Sequence, residues 1–317
     1  MSMEQQHVPL SVTLPLRQGL KSLMLKNPIL TASGTFGYGL EFAPYVDLTA
    51  LGGIVVKGLS LKPRKGNALP RVAETPCGML NSVGLQNDGV EAFLKDKLHR
   101  LPWQTTPVIA NLYATAADDF AELADILSRE EGVAALEVNI SCPNVSEGGI
   151  LFGQDPMLAS HVVSAVKRRS GKKPVIVKLS PNVTNIMQIA MAVEDAGADM
   201  ISCINTLTGM AVDIRRRTPL LANVLGGLSG PAIKPVALRC VWQVCRSVNI
   251  PVIGVGGICS AQDVLEFILV GAHAVEIGTA NFHRPDATMC ILRDLESLCN
   301  ELGIKDLEKY RGSLRIM

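Results

Sequence analysis

The sequence of 317 residues lacks long charged runs and long apolar runs, and each absence excludes a class of protein. No basic run is longer than Arg215–Arg217 and the formal net charge is +1, so nothing indicates a nucleic-acid-binding surface. No stretch approaches the roughly 18 uninterrupted apolar residues of a membrane span, and the first residues do not form a signal peptide. We therefore expect a cytoplasmic protein that binds neither nucleic acid nor a membrane.

The sequence also lacks closely spaced pairs of cysteines. The eight cysteines are spread along the chain without a C-x-x-C motif, which is typical of reduced thiols in a chain of this size. No glycine-rich G-x-G-x-x-G fingerprint follows a predicted strand. We expect no metal ion and no iron–sulfur cluster bound to this chain.

What the sequence does contain is an alternation of short apolar runs and amphipathic segments. Its composition, 48% hydrophobic and 19% charged, suits a large core. Periodicity predicts helices in DDFAELADILSRE, IMQIAMAVEDAGA, IKPVALRCVWQVCRSV and AQDVLEFILVGA. The eight predicted strands are PILTAS, GGIVVKGLS, PVIANLYA, AALEVNIS, PVIVKLS, DMISCIN, PVIGVGG and AVEIGTA.

Eight such units predict an α/β fold, a closed (β/α)₈ TIM barrel, with a doubly wound open sheet as the alternative. A β-hairpin is predicted ahead of it, at residues 11–29. No linker interrupts residues 1–317, so one domain is expected. Two long connections, 61–106 and 206–250, are candidates for functional segments.

The residues at the carboxyl ends of the strands are the candidate site, because barrels of this type place their active sites there. The last two strands end in GVGG and IGT, with Gly256, Gly257, Gly278 and Thr279. Glycines let backbone N–H groups approach phosphate oxygens, so a phosphorylated ligand is indicated. The alternative is that these glycines only form tight turns.

Two lysines, Lys57 and Lys178, end otherwise apolar strands. A buried ammonium needs an anion or access to water, and either lysine alone could meet it in an internal salt bridge. Both together favour a shared anionic ligand.

Asparagines are frequent at the same ends. An amide both donates and accepts hydrogen bonds, which suits a ring edge such as that of a pyrimidine or a flavin, although a single asparagine is more often a turn residue. These residues are Asn81, Asn87, Asn111, Asn139, Asn144 and Asn205.

Cys142 follows the fourth predicted strand in a polar setting, before a proline and the glycine-bearing segment NVSEGGILFGQDP. That segment has the composition of a movable lid. A thiol placed there is a candidate general base or nucleophile, whereas a packed core cysteine would have apolar neighbours.

Several motifs together resemble the dihydroorotate dehydrogenase family over essentially the whole chain: NISCPN, NSVGLQN, ASGTFGYG, VKLSPN, INTLTGM, GGLSGPAIKP and IGTANF. The cysteine resembles the base of the class 1 enzymes, since class 2 members have serine there. NVSEGGILFGQDP and LPRVAETPCGMLNSVGLQN resemble the NAD-linked class 1B rather than the fumarate-linked class 1A.

The resemblance implies oxidation of (S)-dihydroorotate to orotate in pyrimidine biosynthesis, with FMN as the cofactor of residues 1–317. Cys142 would take the C5 proton, a hydride would pass from C6 to N5 of FMN, and Lys57 would lie near both flavin and substrate carboxylate. Lys178 would stabilise negative charge on the N1 side of the flavin.

The resemblance also assigns binding residues. Those matched to the substrate are Lys57, Asn81, Ser82, Val83, Gly84, Leu85, Asn139, Asn205 and Thr206. Those matched to FMN are Ser33, Lys57, Gly58, Asn111, Asn139, Lys178, Ile204, Gly230, Gly256, Gly257, Gly278 and Thr279.

Class 1B enzymes pair such a chain with an electron-transfer subunit that holds FAD and a [2Fe-2S] cluster, through which electrons reach NAD. The family further implies a homodimer at the centre of a heterotetramer. Alternatives are an FMN-dependent dihydropyrimidine dehydrogenase subunit, a tRNA dihydrouridine synthase, which the near-neutral charge disfavours, and a non-redox phosphate-binding barrel.

Overall fold

A computed structural model describes residues 8–17, 19–20, 22–141 and 152–316. Its strands, numbered in chain order, are β1 (Val12–Leu14), β2 (Leu23–Leu25), β3 (Ile29–Thr31), β4 (Gly53–Val55), β5 (Val72–Thr75), β6 (Gly78–Asn81), β7 (Val108–Leu112), β8 (Ala135–Asn139), β9 (Val175–Leu179), β10 (Met200–Cys203), β11 (Leu207–Met210), β12 (Val212–Asp213), β13 (Thr218–Pro219), β14 (Leu225–Ser229), β15 (Val252–Val255) and β16 (Ala274–Ile277). Its α-helices are α1 (Gly89–Asp96), α2 (Ala117–Ser128), α3 (Pro156–Arg169), α4 (Ile186–Asp195), α5 (Lys234–Cys245), α6 (Ala261–Leu269), α7 (Ala280–His283), α8 (Ala287–Glu301) and α9 (Leu307–Tyr310).

Eight parallel strands close into a barrel in the order β10-β15-β16-β3-β4-β7-β8-β9. They are the eight strands that the apolar runs predict, so the closed barrel is confirmed and the open sheet is wrong. Most of their residues are fully buried, because the strands face a packed interior on one side and helices on the other.

The predicted amino-terminal hairpin is also confirmed, as β1 and β2 pair antiparallel from Val12↔Leu25 to Leu14↔Leu23. It ends earlier than the predicted limit, since Ile29 already opens the first barrel strand. Alternating exposure along β1, buried at Val12 and Leu14, shows that one face of the hairpin packs on the barrel.

The predicted helices form between the strands, and several helices of the fold begin at side-chain caps. Ser260 and Asp263 form a capping box at α6, and Asp155 caps α3, where Pro156 takes the first position. Each helix turns its apolar side to the barrel; Phe120 of α2 and Phe267 of α6 are fully buried. No helix in the described ranges is both long and apolar enough to cross a membrane.

The two long connections pair with each other, which the sequence patterns do not reveal. They form an antiparallel sheet in the order β11-β14-β6-β5, in which Leu80 of β6 lies opposite Leu228 of β14. Met79 and Asn81 of β6 line the cavity at the carboxyl end of the barrel. This sheet therefore forms part of the wall around the candidate site.

Candidate active site

A cavity of about 680 Å³ opens at the carboxyl end of the barrel, where the sequence places the site. Each of the eight barrel strands contributes at least one lining residue, from its last positions or just beyond. Two further walls come from β6 and from the chain that follows β14. The cavity therefore receives side chains from segments that lie far apart in sequence.

All twelve residues predicted to bind the cofactor line this cavity, and so do all the predicted substrate residues except Ser82. The Ser82 side chain is fully buried beside the cavity, and its backbone N–H donates to the carbonyl of Arg71. Its neighbours Asn81 and Val83 do reach the cavity. Cofactor and substrate roles for these residues stay predictions.

The glycines at the ends of β15 and β14 are required by backbone geometry. Gly256 and Gly257 have φ values of +130° and +76°, which other residues rarely adopt. A Cβ on Gly257 would lie 2.8 Å from the backbone N of Lys234 and 2.9 Å from the carbonyl oxygen of Gly230. These glycines therefore keep the backbone close to the cavity, as a phosphate cradle requires.

Thr279 completes this part of the cavity after β16. Its hydroxyl donates to Ser229 Oγ at 2.8 Å, so the end of β14 and the end of β16 are joined by side chains. Lys234, whose backbone lies against Gly257, forms ion pairs with Asp263 and Glu266 at 2.5 and 2.8 Å. The polar groups that face the cavity here are thus small and mostly neutral.

Lys57 lies after β4, partly buried in the cavity wall. Its backbone N–H donates to the carbonyl of Gly37 at 2.8 Å. A Cβ on Gly34 would lie 3.7 Å from Lys57 Nζ, so the ammonium sits against the backbone that follows β3. The position suits a cation that contacts a bound anion.

On the opposite wall of the cavity, two asparagine side chains are joined by a hydrogen bond. Asn205 Nδ2 donates to Asn139 Oδ1 at 3.3 Å, and the backbone N–H of Ser141 donates to the same oxygen at 3.2 Å. The backbone N–H of Thr206 donates to Asn205 Oδ1 at 2.8 Å. These contacts fix the orientation of both amides before any ligand binds. Asn87, in contrast, accepts a hydrogen bond from the N–H of Gly89 in the turn before α1 and is not part of the cavity wall, as expected of a turn residue.

Lys178 meets its counter-charge inside the protein. Its ammonium lies 2.7 Å from Glu276 Oε2 and 3.7 Å from Glu137 Oε2, and all three side chains are almost completely buried. The internal salt bridge considered for a single lysine is therefore present here. Lys178 also lines the cavity, so one ammonium serves both the buried carboxyls and the candidate site.

The pKa values of this cluster move in opposite directions. Burial, together with the neighbouring Glu137 charge, raises the pKa of Glu276 well above its usual value. Burial alone would also raise the pKa of Glu137, but the Lys178 ammonium and hydrogen bonds from Glu276, Ser202 and Asn111 hold it below its usual value. Burial would lower the pKa of Lys178, and its two carboxyl neighbours raise it instead.

Sequence reasoning missed Glu137 and Glu276, although the signal was present. Each is an acidic residue within an apolar strand, AALEVNIS or AVEIGTA, and the argument that singled out Lys178 applies to both. Other lining residues without a sequence prediction include Val72, Met79, Ser229, Cys259, Phe282, His283 and Arg284.

Cys142 and Asn144 lie outside the described residues, as does most of the predicted lid. Of NVSEGGILFGQDP, residues 152–154 form a 3₁₀ turn and Pro156 begins α3. Just before Cys142, the Ser141 hydroxyl donates to the Lys178 carbonyl at 2.6 Å. Ser141, the last described residue before Cys142, therefore lies next to the backbone of Lys178.

The sequence of this chain is similar to those of known proteins. A family model described as dihydroorotate dehydrogenase matches residues 15–299. The chain belongs to the dihydroorotate dehydrogenase family. The resemblance read from the motifs is thereby confirmed.

Relatives are similar along nearly their whole length. A protein of Solidesulfovibrio magneticus is 72% identical over 297 residues, which cover 94% of this chain and 97% of the relative. One of Maridesulfovibrio salexigens is 64% identical, covering 93% and 96%. One of Geotalea uraniireducens is 58% identical, covering 92% and 95%. All three are named dihydroorotate dehydrogenase B (NAD(+)), catalytic subunit.

Proposed function

We propose that this chain is the catalytic subunit of an NAD-linked dihydroorotate dehydrogenase, which oxidises (S)-dihydroorotate to orotate in pyrimidine biosynthesis. The observation that carries the proposal is the cavity at the carboxyl end of the barrel. This one cavity is lined by the strand-end glycines Gly256, Gly257 and Gly278, here called the glycine cradle, by the cations of Lys57 and Lys178, and by a set of oriented asparagine amides. The names of the relatives support the same substrate and the same acceptor.

The residues present fit FMN. Asn111 is almost fully buried in the cavity wall, and its Oδ1 has no hydrogen-bond partner within the part of the chain that is described. A ring N–H of a flavin would satisfy that oxygen. Gly256, Gly257, Gly278 and Thr279 would hold the phosphate, with Ser33, Gly58, Ile204 and Gly230 around the rest of the molecule. When bound, FMN supplies the acceptor for the hydride that leaves C6 of the substrate.

The protein side of the reaction is substrate positioning and proton removal. Lys57 would bind the carboxylate of dihydroorotate, because a partly buried ammonium is favoured beside an anion. Asn139 and Asn205, already oriented by their mutual hydrogen bond, would bind the polar edge of the ring with Asn81 and Thr206. Val83, Gly84 and Leu85 would enclose it, with Ser82 supporting them from behind.

Cys142 would act as the general base that accepts the C5 proton. An unperturbed thiol has a pKa of about 8.5, which is close enough to neutral pH for proton acceptance, whereas a serine hydroxyl is a far poorer base.

The remaining assignments concern the assembly. A partner subunit with FAD and a [2Fe-2S] cluster would carry electrons from this chain to NAD, and two copies of the chain would form the centre of a heterotetramer in the cytoplasm. The words "NAD(+)" and "catalytic subunit" in the relatives' names support the partner.

An anaerobic absorbance spectrum tests the proposal. The purified chain, loaded with FMN, is mixed with dihydroorotate or, as a control, with dihydrouracil, which lacks the carboxylate. We expect the flavin absorbance to bleach with dihydroorotate alone. Bleaching with dihydrouracil instead would favour the dihydropyrimidine alternative, and failure to bind FMN would leave the non-redox barrel.

A further inference from the structure

The barrel strands contain three charged residues, and all three meet in the barrel interior. They are Glu137 on β8, Lys178 on β9 and Glu276 on β16. β8 and β9 are neighbours, whereas β16 lies across the barrel, so Lys178 spans the interior to reach Glu276 at 2.7 Å. The remaining barrel strands contribute neutral groups to this layer, such as Asn111 of β7 and Ser202 of β10. Lys57 is the other lysine on the cavity wall.

Charge balance in this cluster requires a proton. Two ionised carboxylates and one ammonium would leave a net negative charge in a fully buried site, which is costly. The Lys178 ammonium lies 2.7 Å from Glu276 Oε2 and 3.7 Å from Glu137 Oε2, so one positive charge faces both carboxyl groups. With one proton, the three groups are neutral together. Glu137 accepts hydrogen bonds at both of its oxygens, which indicates that it is the ionised member, and the lowered pKa of Glu137 and raised pKa of Glu276 agree with this.

The ionised carboxylate also fixes the amide of Asn111. Register pairs Asn111 with Glu137 on adjacent strands, and Asn111 Nδ2 donates to Glu137 Oε2. Ser202 Oγ donates to Glu137 Oε1 at 2.7 Å, so both carboxylate oxygens accept hydrogen bonds. An ionised carboxylate cannot donate, and it therefore holds the NH₂ group of Asn111 toward itself. Asn111 Oδ1 has no hydrogen-bond partner among the described residues, in a side chain that lines the cavity.

We propose that Glu137 and Glu276 are positioning residues that share a single proton behind the site, so that Lys178 presents a charge-balanced ammonium and Asn111 presents its oxygen to the bound ligand. The role in ligand binding rests on the proposed function, with FMN as that ligand. Neither glutamate lines the cavity, so both act through Lys178 and Asn111. Glu137 acts on both of these residues, whereas Glu276 acts on Lys178.

The shared proton can be tested on the full chain without flavin, whose own carbonyl bands would interfere. Infrared spectra at neutral pH should contain the C=O stretch of a buried carboxylic acid. Both Glu276→Gln and Glu137→Gln should abolish this band, because the one remaining carboxyl then ionises beside Lys178. The control Glu301→Gln, at the exposed end of α8, should leave the band unchanged.

Absence of the band from the wild-type chain would overturn the inference, whatever the variants do. Survival of the band in Glu137→Gln would also overturn it, because the acid would then not depend on a shared proton. These readouts involve neither substrate nor flavin. Reduction of the wild-type flavin by dihydroorotate remains a separate test, so failure of the inference and failure of the proposed function can be told apart.

The positioning of Asn111 is tested by FMN titration of the same folded variants. In Glu137→Gln, the new glutamine amide can rotate and present its NH₂ group to Asn111, so the Asn111 amide is no longer held in one orientation. FMN affinity should then fall about tenfold or more, as expected when a buried hydrogen bond is lost. Glu276→Gln keeps Glu137 ionised, and its FMN affinity should stay within about threefold of the wild type. Equal losses in the two variants would contradict the separate role of Glu137.

Discussion

Each end of the barrel carries a cavity lined by buried or partly buried ionisable groups, and the charge state of those groups differs between the two ends. At the carboxyl end, the charges of Lys178 and Glu137 are kept and paired. At the amino end, a cavity of about 430 Å³ beside β15 and β16 is lined by Cys245 and His273. Burial lowers the pKa of His273 to about 4 and raises the pKa of Cys245 to about 12, so both are neutral at pH 7.

The comparison shows that a shifted pKa can result from burial alone or from a group of interacting residues at a functional site. His273 is desolvated, and its Nδ1 accepts a weak hydrogen bond from the Val252 N–H at 3.4 Å. Around Lys178, in contrast, shifted carboxyls are connected to residues that face a cavity with other convergent polar groups. A perturbed pKa indicates function only when such partners surround it.

The largest effect is expected from Cys142→Ser at the carboxyl end. A hydroxyl is a poorer base than a thiol, so turnover at neutral pH should fall by roughly 10²- to 10⁴-fold while FMN binding is retained. Steady-state rates and flavin content measure the two effects. The exposed Cys77→Ser serves as the control and should keep its turnover. Near-normal turnover of Cys142→Ser would remove that thiol from the mechanism.

A smaller loss is expected from Lys57→Met, which keeps most of the length of the unbranched side chain and removes its charge. Without an ammonium for the substrate carboxylate, kcat/KM for dihydroorotate should fall by roughly 10- to 100-fold, as expected for a charged hydrogen bond. The exposed Lys305→Met is the control. An unchanged kcat/KM would mean that the substrate carboxylate binds elsewhere in the cavity.

The glycine cradle predicts an effect on cofactor loading. Gly257→Ala combines a positive φ with a Cβ only 2.8 Å from the Lys234 backbone, so it should lower stability by about 2–4 kcal/mol and reduce FMN content. Gly303→Ala shares the positive φ but has nothing within 4 Å, so it should cost about 1 kcal/mol and keep FMN. Thermal unfolding and flavin absorbance compare the two. Equal effects would show that close approach at Gly257 is unimportant.

The smallest effect concerns the amino end and is a pH dependence. The pKa of His273 is lowered from 6.5 to about 4 on folding, so protons bind the unfolded chain first. Its contribution to stability is complete above pH 6.5 and is lost as pH falls toward 4, by up to roughly 3 kcal/mol. His273→Asn should flatten this part of the stability profile without changing flavin binding. An identical pH profile in the variant would contradict the neutral, buried state of His273.

The sequence was sufficient for the barrel because its strands are continuous apolar runs entered through prolines such as Pro107 and Pro174. The positions of Lys57, Asn111 and the terminal glycines in the site were also predicted, because the carboxyl ends of all strands lie at the same end of a parallel barrel. The β11-β14-β6-β5 sheet could not be predicted, because its central pairing joins β6 to β14 across about 150 residues and its strands carry no strong alternation. Likewise, the partner of Lys178 depends on register and on distance across the barrel, which a linear pattern does not contain.

A single-turnover measurement tests the central claim most directly. The FMN-loaded chain, without oxygen, NAD or partner subunit, is mixed with excess dihydroorotate, and orotate is quantified against bound flavin. The account predicts one orotate per FMN, formed as the flavin bleaches, and no further product until an electron acceptor is added. A fully loaded chain that forms no orotate would contradict it.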